Sequence, residues 1–291
     1  MVAGTYVANG PRENGTWVPH LTAPQQVDFG CTAQPPSRHG GKHSTFYASK
    51  DFYDPVMNRR ILWGWVQNNR ANTMSLPREV TWHPGLEMLC FAPVAEQDEL
   101  RMDPIAVVGR TALNAGARVP IGDAPPGNRS EVLLTFARLA TGPAARLNIS
   151  IPASQLVGHP ASVMNGVELA IDYAPGRGAS EAVVRCDHAN MTATFPLLPS
   201  DTTIAVRVYT DGATVEAFFG DGRLAATLET GPLAGTIPPT WHHAGNPMLN
   251  ATITVSANVS ATLVQGKAWT VGSIWVSSED VLATPRKDGR G

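Results

Sequence analysis

The sequence predicts an all-β protein whose later part is a β-sandwich, and three observations carry that expectation. Short runs of alternating apolar and polar residues recur along the chain, bounded by Gly, Pro, Asn or Asp. Charged residues make up only 16%, below the roughly 25% of an average soluble domain, while Gly (27) and Pro (24) together exceed their usual share of roughly 12%. No segment keeps helical periodicity beyond about two turns, and no repeat of fixed period stands out. A chain of 291 residues holds one large or two ordinary domains, so core burial is not limiting.

The first strand-like run is Gly4 to Val7, followed by a Gly/Asn turn and Thr16-Trp17-Val18-Pro19. After Val27-Asp28-Phe29-Gly30 comes Cys31 to Ser44, a Gly-, His- and Pro-rich stretch that reads as an exposed loop. Thr45 to Lys50 and Ile61 to Val66 read as two antiparallel strands joined by the polar connection Asp54-Pro55 to Asn58-Arg59. Strict alternation puts Phe46 and Ala48 on one face with Tyr47 and Ser49 on the other, and sets Ile61, Trp63 and Trp65 opposite Leu62 and Val66. Two co-facing Trp residues with a nearby Tyr and Lys form a platform of the kind that stacks on a sugar ring; the same aromatics also suit the interior of a sheet.

Ser75 to Trp82, Leu86 to Leu89 and Phe91-Ala92-Pro93 continue the strand pattern to Glu99-Leu100-Arg101. Arg78 and Arg101 are expected to anchor loops by hydrogen bonds. From Pro104 the composition shifts toward Ala, Val and Thr, with alternating runs at Glu131 to Phe136, Leu147 to Ile151, Val167 to Tyr173 and Ala182 to Cys186, the pattern of a sandwich. Thr203 to Thr230 reads as a three-stranded meander with Asp-Gly turns at Asp211-Gly212 and Asp221-Gly222. Glu216 is expected on the polar face of its strand. The last strands are expected at Ala251 to Ser256 and Ser273 to Val276, with 285–291 as a flexible tail.

The Phe46-Tyr47-Ala48-Ser49-Lys50 and Arg60-Ile61-Leu62-Trp63-Gly64-Trp65 blocks, with Val27-Asp28-Phe29-Gly30, Ser75-Leu76-Pro77-Arg78 and Val215-Glu216-Ala217-Phe218, resemble glycoside hydrolase family 32, the invertases, inulinases, levanases and related fructosyltransferases. The resemblance is dense in Thr45 to Arg101, moderate in Thr203 to Leu228 and thin between them. It implies the final part of a five-bladed β-propeller over 1–103 and a β-sandwich over 104–284. It also implies a chain acting on terminal β-fructofuranosyl bonds of sucrose or fructans by a covalent two-step route, without metal or cofactor. Fructosyl transfer, or carbohydrate binding without catalysis, are the alternatives. The family's Asn-Asp-Pro-Asn-Gly, Arg-Asp-Pro and Glu-Cys motifs, which carry nucleophile, stabilising Asp and acid, do not occur here; Asp54-Pro55 and Asp103-Pro104 are turn signals. The chain is therefore expected to correspond to the C-terminal portion of such an enzyme, inactive alone. No residue is assigned to catalysis, and Asp28, Tyr47, Lys50 and Trp65 are the expected remnants of a substrate-binding wall.

A net charge of -2 with pI near 6.4 provides no basic field for nucleic acid or an anionic membrane surface. The opening ten residues lack a charged start followed by an apolar run, and no window approaches about 18 consecutive apolar residues. Six sequons, at Asn14, Asn128, Asn148, Asn190, Asn250 and Asn258, point to a glycosylated, secreted or vacuolar protein. Cys31, Cys90 and Cys186 have no metal-ligand spacing and leave any disulfide pairing open. His39 and His43 flank Gly40-Gly41, which argues against a ligand-bearing helix, and with the His242-His243 pair they are read as loop residues.

Overall fold

The structure is a computed structural model that describes residues 4–8, 15–19, 25–30, 46–66, 73–124, 129–151, 155–156, 167–186, 191–211, 214–229, 248–249, 251–272 and 279. The elements begin with a hairpin of β1 (Gly4–Ala8) and β2 (Gly15–Pro19). Next come β3 (Phe46–Asp54), β4 (Arg59–Val66), β5 (Thr73–Met74), β6 (Arg78–His83) and β7 (Met88–Pro93), then a 3-10 turn over Ala95–Leu100. β8 (Arg101–Val108), β9 (Thr111–Leu113), β10 (Arg118–Ala124), β11 (Arg129–Ala137), β12 (Ala145–Ile151) and β13 (Gln155–Leu156) follow. The chain continues through β14 (Val167–Tyr173), β15 (Ser180–Cys186), β16 (Met191–Leu197), β17 (Thr203–Asp211), β18 (Thr214–Phe219) and β19 (Leu224–Glu229). It closes with β20 (Met248–Leu249), β21 (Ala251–Ala257) and β22 (Ala261–Val271). The expected strand at Ser273 to Val276 and the 285–291 tail lie outside the described residues.

Three larger antiparallel sheets organise these strands. One runs β10-β21-β12-β14-β15-β16, the second β19-β18-β17-β11-β22-β8 with β9 beside β22, and the third β3-β4-β6-β7 with β5 beside β4. The first two put their inner residues into one core. In β12, Ala145, Leu147, Ile149 and Ile151 are buried while Arg146, Asn148 and Ser150 point outward. In the second sheet Val132 pairs with Val208, Leu134 with Val206 and Phe136 with Ile204, and all six side chains join that core. Each such side chain contributes about 1.5–3 kcal/mol relative to exposure in water. The all-β class and the meander of β17, β18 and β19 match the sequence reading.

The second sheet is covered on both faces where the third sheet lies against it. On β18, Val215, Ala217 and Phe219 enter the large core, while Glu216 and Phe218 turn toward the third sheet. There Phe218 meets Phe46, Leu62, Leu89 and Phe91, with Tyr209 and Ala225 beside them. Glu216 is thus 4% exposed rather than on a solvated face, because the strand it occupies has a sheet on either side. The turn after β18 completes the contact. Gly220, Asp221 and Gly222 all have positive φ, and Gly222 accepts a 2.8 Å hydrogen bond from Phe91 N–H at a spot where an added Cβ would stand 2.8 Å from the Phe91 carbonyl.

Candidate functional site

Two places gather side chains that the sequence singled out, one on each face of the third sheet. The first is a joint between sheets. Ser75-Leu76-Pro77 leads into β6, whose first residue, Arg78, faces β18 from opposite Leu62 of β4. Arg78 is fully buried, and its Nη2 donates to Asp28 Oδ2 (2.8 Å), Glu216 Oε2 (2.7 Å) and Thr227 Oγ1 (2.8 Å). Its guanidinium carbon sits 4.4 Å from the Phe46 ring centroid and 5.2 Å from that of Phe218, a cation between two aromatic faces. Asp28 also accepts from Gly30 N–H (2.9 Å), Thr227 N–H (3.0 Å) and the Thr227 hydroxyl (2.8 Å); Glu216 accepts from Leu76 N–H (2.6 Å). Burial works against the Arg78 charge, but the charges of Asp28 and Glu216 outweigh it and hold the guanidinium above its ordinary range. Burial pushes the Glu216 carboxyl up, and Arg78 offsets only part of that.

A neighbouring ionic network continues the seam. Glu131 is buried and accepts from Arg101 Nε (2.8 Å), Arg101 Nη2 (2.7 Å) and Arg207 Nε (2.7 Å), while Asp98 of the 3-10 turn pairs with both arginines. Arg101 covers Trp269 at 4.2 Å. Arg78 and Arg101 do anchor connecting segments, 25–30 through Asp28 and the 3-10 turn through Asp98, and Arg78 in addition ties the third sheet to β18 and β19 of the second.

The second place is the open face of the third sheet. Tyr47 pairs with Trp65 and Lys50 with Trp63, so one residue of β4 stands against two of β3. That bulge, with Ala48 at φ 45°, breaks the strict alternation expected for β3 and turns Lys50 onto the Tyr47 face. Tyr47, Lys50, Trp63 and Trp65 therefore share one face, and the Tyr47 and Trp65 rings meet edge to face at 6.1 Å. Tyr47 is 57% exposed and Trp65 37%, with Phe52 and Met74 also exposed. The connection to β4 is ordered by Asp54, whose carboxylate accepts from Val56 N–H (3.1 Å) and Arg59 Nε (3.0 Å), the turn role read from the sequence.

Asp28 requires a correction. It was expected on the substrate wall with Tyr47, Lys50 and Trp65, but it lies with Arg78 on the other face, 5% exposed, with both carboxylate oxygens occupied by protein donors. No oxygen is left over for a sugar hydroxyl. The Asp28 and Glu216 carboxyls converge on one guanidinium nitrogen and are sealed from solvent, an arrangement for joining sheets rather than for attacking a glycosidic bond. Asn148 lies on the outward face of β12, with Nδ2 3.4 Å from Ser256 Oγ, and Asn258 accepts from Arg146 N–H at 2.6 Å. Asn14, Asn128, Asn190, Asn250, His39, His43, His242, His243 and Cys31 lie outside the described residues.

No family model matches the chain. Over 91 residues it is 40% identical to β-fructofuranosidase 1 of Zea mays, covering 27% of this chain and 13% of that protein. Over 75 residues it is 39% identical to the insoluble β-fructofuranosidase isoenzyme CWINV6 of Arabidopsis thaliana, covering 22% and 14%. The fold is that of fructan 1-exohydrolase IIa from Cichorium intybus, with a TM-score of 0.63 at 19% identity over 94% of this chain and 54% of that one. The chain thus spans about half the length of its structural neighbour, and its sequence matches span a smaller part of the curated relatives. The sequence likeness is thus to named β-fructofuranosidases over a small part of their length, and the fold likeness extends to a protein of glycoside hydrolase family 32 from Bifidobacterium adolescentis.

Proposed function

We propose that the chain is the C-terminal portion of a glycoside hydrolase acting on terminal β-fructofuranosyl bonds of sucrose or fructans. The observation that carries this reading is the 39–40% identity to two β-fructofuranosidases, in a chain whose fold follows a fructan exohydrolase over 94% of its length. In the same reading the third sheet belongs to the end of a β-propeller and the first two form the sandwich. The division falls at the start of β8, since that strand pairs with β22 and begins directly after the 3-10 turn. Fold neighbours of 15–19% identity have been solved with 1-kestose and with fructosylnystose, which makes a fructosyl oligosaccharide the substrate class to test. Tyr47, Lys50 and Trp65 are the residues of the expected wall that share an open face. The sequons fit a secreted or vacuolar glycoprotein, with Asn148 the outward-facing acceptor among the described strands.

Retaining glycosidases work with two carboxyl groups about 5 Å apart that can reach the sugar, and the Asp28–Glu216 pair is closed off by Arg78 and Thr227. The purified 291-residue chain is therefore expected to release no fructose from sucrose or 1-kestose above a buffer control. A chain that also carries the three missing family motifs on a complete propeller is expected to release it. Turnover by the 291 residues alone, or none by the completed chain, contradicts this reading.

A further inference from the structure

The joint around Arg78 holds two carboxyl groups and one guanidinium. The Asp28, Glu216 and Arg78 side chains are 2%, 5% and 0% exposed, so bulk water does not screen them. The groups facing Glu216 can be named element by element. Arg78 comes from β6, Asp28 from the 25–30 segment, the neutral Thr227 hydroxyl from β19, Leu76 N–H from the 75–77 turn, and Tyr209 pairs with Glu216 on β17. With both carboxyls ionised the cluster carries one uncompensated negative charge, and an unpaired buried charge costs several kcal/mol. Two carboxyls sharing a site relieve this by keeping one of them protonated. The hydrogen bonds indicate which one takes it: Asp28 accepts four, from Gly30, Thr227 twice and Arg78, whereas Glu216 accepts two, from Leu76 and Arg78.

We propose that this joint retains one proton near neutral pH, carried by the Glu216 carboxyl, so that the third sheet is seated on the second most tightly in acid and loosens as the solution becomes alkaline. Burial raises the Glu216 carboxyl, in the direction the geometry requires. For an acid whose folded value lies above its unfolded value, the stabilisation is complete below the unfolded value, about 4.3 for Glu, and is lost as pH climbs through the folded one. Across that window the ratio of folded to unfolded chain falls by up to about tenfold per pH unit.

The test is denaturant unfolding of the 291-residue chain at a series of pH values, for the wild type, Glu216→Gln and Asp28→Asn. Glu216→Gln supplies a neutral side chain at every pH but sets an amide NH2 where Glu216 accepts from Leu76 or Arg78, so its stability is expected to be lower in acid and to lack the wild-type fall with rising pH. In Asp28→Asn the lone Glu216 is ionised as the counter-ion of Arg78, and the wild-type fall with pH is expected to disappear. Profiles for wild type and Glu216→Gln that run parallel at every pH overturn the proposal. Should either variant fail to fold, infrared difference spectra of the wild type decide the question: a buried protonated-carboxyl band near neutral pH supports it, and the absence of that band refutes it.

Discussion

The two faces of the third sheet are built from the same strands and reverse the usual division of labour. Its sealed face buries one charge, Arg78, amid Phe46, Leu62 and Phe91; its open face leaves Tyr47, Phe52, Trp65 and Met74 exposed beside Lys50. Polarity in sequence is ordinarily read as a guide to which face meets water, and at Arg78, Tyr47 and Phe52 that guide points the wrong way. The reason is partnership. Arg78 can be buried because Asp28, Glu216 and Thr227 are positioned to receive it and two aromatic rings cover it, whereas no described element covers the aromatics of the open face.

The comparison breaks most sharply at Arg78. Arg78→Met preserves much of the side chain's bulk but leaves Asp28 and Glu216 buried without their cation, and loss of one partner from such a cluster typically costs about 3–5 kcal/mol. Urea unfolding should register that loss, together with an earlier transition for the Trp residues of β4 than for the two large sheets. A change under about 1 kcal/mol would mean that the joint contributes little beyond its apolar contacts.

Gly30 gives a second, smaller break from the backbone side. A Cβ there would stand 1.6 Å from the Thr227 carbonyl oxygen, so Gly30→Ala must push the 25–30 segment off β19 and stretch the bonds from Gly30 and Thr227 to Asp28. Overpacking of this kind costs about 1–3 kcal/mol. Thermal unfolding of the variant at wild-type stability would show that the segment is free to shift without disturbing the joint.

Much of this architecture is legible in the sequence, and what is not has a definite physical cause. Period-two alternation in β12, β17 and β18 fixes which residues enter the large core, and Asp221-Gly222 marks its turn, because both signals are local. The joint is not local: Arg78 lies 50 positions from Asp28 and 138 from Glu216, and no spacing links them. The resemblance groups Asp28 with Tyr47, Lys50 and Trp65, and nothing local shows that its partners are Arg78 and Thr227. The resemblance marked Arg78 and Glu216 within motifs, which was the available signal, but not that they meet. The bulge at Ala48 is a different case, since no Gly announces its positive φ, and strict alternation alone puts Lys50 on the opposite face from Tyr47.

The open face yields a smaller change in stability than Arg78 and the clearest reading of what the aromatics are for. In Tyr47→Ala with Trp65→Ala, the loss comprises an edge-to-face pair at 6.1 Å and the shielded part of two rings that are 57% and 37% exposed. Such a pair contributes about 0.5–1.5 kcal/mol beyond the area it buries, and with that partial burial added the expected loss stays below the roughly 3–5 kcal/mol of Arg78→Met. Unlike the variants of the sealed face, this one is expected to fold with the joint intact, retaining the wild-type pH profile. Binding of an apolar dye should fall, because the exposed platform is gone. Titration with 1-kestose then separates the two uses of the face: weak binding by the wild-type chain that vanishes in the variant assigns the aromatics to the sugar wall. Equal behaviour of the two chains toward 1-kestose, with dye binding reduced, assigns them to packing against other polypeptide. A stability loss of several kcal/mol would contradict the comparison itself, since it would make the open face as structural as the sealed one.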